Sequence, residues 1–149
     1  MLSPRFRGFF RSTRLRASVL ARFCYVHVRY RRAALPELVA RLSEPPRRPA
    51  PRRSTQRLSW TVYRTLQLAG HRPTCLASAL VLFWMLRAQG DEAELVIGLP
   101  STPSSKDAHA WVELSGRDVG PPPGRSGHLE FARYPTAGMS TLLRSGEPT

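Results

Sequence analysis

The chain has 149 residues, 42% of them hydrophobic, which suits one globular domain with a short appendage and excludes a disordered chain. Its two cysteines, Cys24 and Cys75, build no disulfide framework, and no Cys/His cluster has metal-ligand spacing, so a reducing cytoplasm is expected. The net charge of +13 is one-sided: residues 1–57 hold 15 arginines against Glu37 and Glu44, while residues 58–149 hold 8 basic and 8 acidic side chains.

No apolar run of signal-peptide length follows the basic start; Ala17-Ser18-Val19-Leu20-Ala21 is the nearest. The acid-free first 36 residues read as part of a folded helix rather than a transit peptide. Over 12–33, Leu15, Val19, Phe23, Val26 and Tyr30 recur at helical spacing and predict an inward stripe surrounded by arginines. Cys24, beside Phe23, is expected to pack. Pro36 opens a second short helix over 36–43. Residues 44–53, rich in proline and arginine, form an extended linker. That linker separates a basic helical region (1–53) from a domain over 54–149.

Ser54 caps a third helix, reaching about Leu68, with Leu58, Val62, Leu66 and Ala69 inward. Gly70 stops it. A fourth begins at Thr74 or Cys75 and runs to Gln89, with Gly90 as its stop. Its apolar run, Leu76–Leu86, is too short to span a bilayer and reads as a core helix. The period then changes to two. Strands are predicted at 93–99 and 108–114, followed by a tight turn at Ser115-Gly116 and a short strand over 117–120. After the proline run at 121–123, residues 128–134 return as an edge strand. Helices first and an antiparallel sheet second make the fold α+β.

Cys75 stands where a helix begins, facing the positive end of the helix dipole and unpaired backbone N–H groups, which favour thiolate and can hold an oxyanion. Alone, such a cysteine is more often packing than chemistry. His109, 34 residues later at the start of a strand, changes the balance, because an imidazole facing that thiol can form a thiolate–imidazolium pair. Cysteine before histidine is the papain order.

The nearest acid beyond His109 is Asp118. A hairpin turning at Ser115-Gly116 sets it near the level of Val112 or Glu113, not beside the imidazole. Asp118 is carried as the orienting acid, with a backbone carbonyl or water as the alternative. Glu113 shares the face of His109 but lies too far along the strand. Gln67 as an oxyanion donor and His71 as a substrate contact are weaker candidates. His27 and His128 show no partner pattern, and Trp111 is expected to pack behind the site. No glycine-rich phosphate loop is present.

The blocks Pro73-Thr74-Cys75-Leu76-Ala77, Leu86-Arg87-Ala88-Gln89-Gly90, Leu95-Val96-Ile97-Gly98, Ala108-His109-Ala110-Trp111-Val112-Glu113 and Gly116-Arg117 resemble the leader peptidases of lasso-peptide biosynthesis, within the transglutaminase-like superfamily. The resemblance covers roughly residues 55–135. It implies a papain/transglutaminase-like fold and a cysteine protease that cuts the leader from a ribosomally made precursor peptide, with Cys75, His109 and an acid as catalytic residues. No cofactor and no metal are implied. One departure is plain: the family's acid commonly falls about a dozen residues past the histidine, where this chain has Pro121.

The partners implied are the precursor peptide, a separate small leader-binding protein and a lasso cyclase, since no β-rich leader-binding module precedes residue 55. Nucleic acid is not expected as a partner; weak contact with an anionic membrane is compatible with the charge. Two rivals stay open: a transglutaminase-like amidase or acyl-transferase, and a non-catalytic scaffold with a basic docking helix.

Overall fold

Pro4 opens the first helix of the computed structural model, which describes residues 4–69, 74–102, 108–120 and 126–135, with side chains from Thr13 onward. This helix, α1 (Pro4–Tyr30), starts well ahead of the predicted residue 12. Proline suits a first turn because its missing N–H would have no helical acceptor there. Leu15, Val19, Phe23 and Val26 are buried, as the stripe requires, but Tyr30 is 51% exposed because the helix ends at that residue. Cys24 is exposed rather than packed: one residue past Phe23 turns it about 100° round the helix, away from the stripe.

Pro36 lies in the first turn of α2 (Leu35–Ser43), which buries Leu38, Val39 and Leu42. Ser54 caps α3 (Thr55–Leu68) by accepting from the Arg57 N–H at 3.3 Å. Leu58, Val62 and Leu66 of α3 are buried. Ala69, predicted to point inward, is exposed as the C-cap, where the helical stripe no longer holds.

The fourth helix, α4 (Cys75–Ala88), begins at Thr74, whose hydroxyl accepts from the Ala77 N–H at 3.3 Å. It is apolar on nearly every side, and it touches α1, α2 and α3 as well as two strands of the sheet. A helix hydrophobic all round must be central. Among the described residues, no helix is long and apolar enough to cross a membrane.

The sheet has four antiparallel strands: β1 (Ala93–Pro100), β2 (His109–Leu114), β3 (Arg117–Asp118) and β4 (His128–Tyr134), in the order β3-β2-β1-β4. Ser115 and Gly116 both take positive φ, 52° and 73°, the geometry a two-residue hairpin turn demands. The strand after it is shorter than predicted, ending at Asp118. Alternation then assigns the faces. Leu95, Ala110 and Val112 enter the core shared with α4, while Val96, Trp111 and Glu113 turn to the opposite face.

One hydrophobic cluster runs from α1 through α2, α3 and α4 to the inner face of the sheet. The segment 44–53 passes over the outside of that continuous core. Its Ala50 N–H donates to the Ala88 carbonyl at 2.9 Å, and the Gln89 side chain bonds the Arg53 backbone twice, at 3.1 and 3.0 Å. The architecture is α+β, helices first and antiparallel sheet second, as expected.

Candidate active site

Cys75 is the first residue of α4, set there by the Thr74 cap and half-buried against the core. Its Sγ lies 3.8 Å from the carbonyl oxygen of Ala108. That oxygen belongs to the residue immediately before His109, the first residue of β2. Helix start and strand start therefore meet at their tips. The N–H groups of Cys75 and Leu76 open the helix without intrahelical acceptors, while that of Ala77 is taken by the Thr74 hydroxyl.

The imidazole itself leaves the strand on the other face. Ala110, its neighbour, is in the core with α4, so His109 alternates to the side that carries Trp111. The His109 and Trp111 rings stack with centroids 6.4 Å apart and an interplanar angle of 20°. Among the described residues the thiol's hydrogen-bonding contact is with Ala108, not with the imidazole.

His128 completes this cluster, its ring 5.2 Å from that of His109 and 6.4 Å from that of Trp111. Nothing in the sequence pairs these histidines. They meet because β4 lies alongside β1 with a register shift between Ile97 and Gly98, which sets His128 opposite Pro100. Gly98 makes the approach feasible: a Cβ there would lie 2.7 Å from the Trp111 ring and 2.9 Å from His128 Cβ.

The pKa of His109 is lowered, first by burial, which disfavours the imidazolium, and then by the neighbouring charge of His128. Asp118 acts in the opposite sense, its carboxylate favouring the charged ring. Asp118 lies opposite Glu113 in the hairpin register, the level anticipated from the turn, and not beside His109. One of its oxygens accepts from the Gly120 N–H at 2.8 Å. Its influence on His109 is thus through space and is the smallest of the three effects.

Glu113 has a different task. Its side chain is 2% exposed, accepts from Trp111 Nε1 at 2.9 Å and pairs with Arg133 Nη1 at 3.0 Å. Arg133 also meets Glu130 and Glu94, both at 2.7 Å. The hydrogen bond donated to Glu130, then those donated to Glu113 and Glu94, raise the guanidinium's pKa further against its burial. This network holds the Trp111 indole, which is buried and stacks on His109. Gln67 is exposed on α3, and His71 lies outside the described residues. Among the described residues no group of three or more His, Cys, Asp or Glu could hold a metal ion.

Cys75 thus opens a central helix packed on an antiparallel sheet whose second strand opens with His109. The chain belongs to the transglutaminase-like superfamily, whose family model matches residues 17–133 and which includes cysteine peptidases and acyl-transferases. The match begins inside α1, well before residue 54. No match was found among the curated proteins or among the solved structures.

Proposed function

We propose that this protein is a cysteine peptidase that removes the leader from a ribosomally made lasso-peptide precursor in the cytoplasm. The observation that carries the reading is the meeting of Cys75 Sγ with the Ala108 carbonyl, one residue from His109. In this reading Cys75 Sγ attacks the scissile carbonyl carbon as His109 takes the thiol proton. N–H groups at the start of α4 hold the oxyanion. His109 returns the proton to the departing amine, leaving a thioester, and a water activated by the same imidazole hydrolyses it.

The imidazole must rotate towards the thiol for this to occur, and catalytic hydrogen bonds commonly tighten only once substrate fills the gap. Asp118 is proposed as an acid that favours imidazolium from a distance rather than gripping the ring. The partners proposed are the precursor, a small leader-binding protein and a cyclase that closes the freed core.

The test is to incubate the purified protein with precursor and the leader-binding protein, then weigh the products. Leader and core separated by addition of one water support hydrolysis. The second reading, acyl transfer, is favoured by superfamily membership alone and predicts an amine-linked product instead. Unchanged precursor with either partner present would sink both.

A further inference from the structure

At the far end of α4 from Cys75, α1, the linker and α3 close around a pocket of about 200 Å³. The two ends of the helix are about 15–20 Å apart at 1.5 Å per residue. Leu15, Leu58 and Met85 give the pocket an apolar floor. Arg14, Arg22 and Arg53 also line it, and no acidic side chain does. None of these three arginines forms an ion pair among the described residues, whose salt bridges are made by Arg52 and Arg133.

Arg22 is the informative one. It is half-buried, with its guanidinium 4.9 Å over the Trp84 ring and Nη1 donating to the Ser18 hydroxyl. Its Nε is buried with no acceptor at all. Burial lowers its pKa from the ordinary value. A part-buried guanidinium whose Nε has no acceptor, lining a pocket with two further arginines and no acid, favours an anionic guest. The pocket is smaller than the roughly 300–1,000 Å³ of sites that enclose a drug-sized molecule, so it fits one side chain presented by something larger.

We infer that this pocket receives a carboxylate side chain from an acidic peptide segment. The guanidiniums of Arg14, Arg22 and Arg53 hold the carboxylate, and Leu15, Leu58 and Met85 hold its methylene stem. The floor argues against a free, fully hydrated phosphate, which gains nothing from apolar contact. Residues 1–57, which supply these three arginines, carry 15 arginines against two glutamates, a charge that draws in a polyanionic chain from a distance. The site is independent of the chemistry at Cys75.

The full-length protein should bind a fluorescein-labelled Glu-rich peptide saturably, read by anisotropy. An Asp-rich peptide of equal charge, whose side chains are one methylene shorter, should bind more weakly, and inorganic phosphate should not displace the label. Arg22→Met should weaken binding about tenfold or more, the loss expected for a hydrogen bond to a charged group. Arg14→Met, on an exposed position, and Arg53→Met, on a half-buried one, give the same reading should Arg22→Met fail to fold. Neutralising Arg31 and Arg32 together, exposed just beyond α1, should cost less than about threefold, as for surface charges. Absence of saturable binding, an equal loss from the Arg31/Arg32 pair, or displacement by phosphate overturns the inference.

Discussion

Cys75 Sγ lies 3.8 Å from the carbonyl oxygen of Ala108, so the first turn of α4 touches the residue just ahead of β2. That hydrogen-bonding contact is to backbone, with the imidazole one residue further along and on the other face of the strand. If that junction is the reaction centre, Cys75→Ala should abolish precursor cleavage, with losses of about a millionfold typical of a missing nucleophile. The melting curve should barely move, because a thiol at a half-buried helix start contributes little volume. Cys24→Ala, on an exposed position, should leave the rate unchanged. Cleavage by a well-folded Cys75→Ala protein would remove the assignment.

His109 should titrate below the ordinary histidine value, and its neighbours set how far. Burial and the His128 charge both favour the neutral ring, while Asp118 favours the charged one. His128→Gln should therefore raise the His109 midpoint, and Asp118→Asn should lower it, as followed by the imidazole proton shifts in NMR titrations. The sign carries to stability: the folded state disfavours imidazolium, so stability falls as pH drops from about 6.5 through the folded midpoint. Midpoints that do not move in either variant would separate His109 from both neighbours.

Asp118→Asn also decides the third role. An orienting acid should cost about 10²–10⁴-fold in kcat on conversion to the amide. An effect under about threefold, less than a single hydrogen bond to a charge is worth, leaves a Cys/His dyad with His109 held by backbone or water.

Gly98→Ala should destabilise the protein by about 1–3 kcal/mol, the range for overpacking. The new methyl would meet the Trp111 ring at 2.7 Å and His128 Cβ at 2.9 Å, and neither lies at the free end of a flexible chain. For a protein of this size each kcal/mol lowers Tm by about 2–4 °C. An unchanged Tm would mean the strands part freely at that point.

Glu113→Ala should be worse, costing about 3–5 kcal/mol, because it leaves Arg133 without its buried partner and Trp111 Nε1 without an acceptor. Glu113→Gln keeps an acceptor for the indole and should cost less. Thermal or urea unfolding of both variants gives the comparison, and equal losses would show that charge alone matters at this position.

Much of the fold was legible without coordinates. Leu15, Val19, Phe23 and Val26 at helical spacing, the Ser54 cap, the helix start at Thr74 or Cys75, and the Ser115-Gly116 turn are local signals, each set by a handful of neighbouring backbone groups. Even the level of Asp118 followed from counting back across that turn to Glu113. Where a local element ends was harder: Tyr30 and Ala69 continue their stripes in sequence but lie exposed at helix termini.

Other relationships needed the chain to fold back on itself. His128 reaches His109 only through the shift in register between β1 and β4, and no local pattern in either strand encodes that shift. Glu113 looked like one more acid on the strand until Arg133, 20 residues on, closed over it. Arg22 looked like one arginine of many on a solvated helix, yet the packing of α1 on α3 and α4 buried its Nε beside Trp84. Periodicity shows which face of an element is apolar. Only packing decides which polar groups on the remaining faces lose their water, and there a charge changes from surface decoration into chemistry.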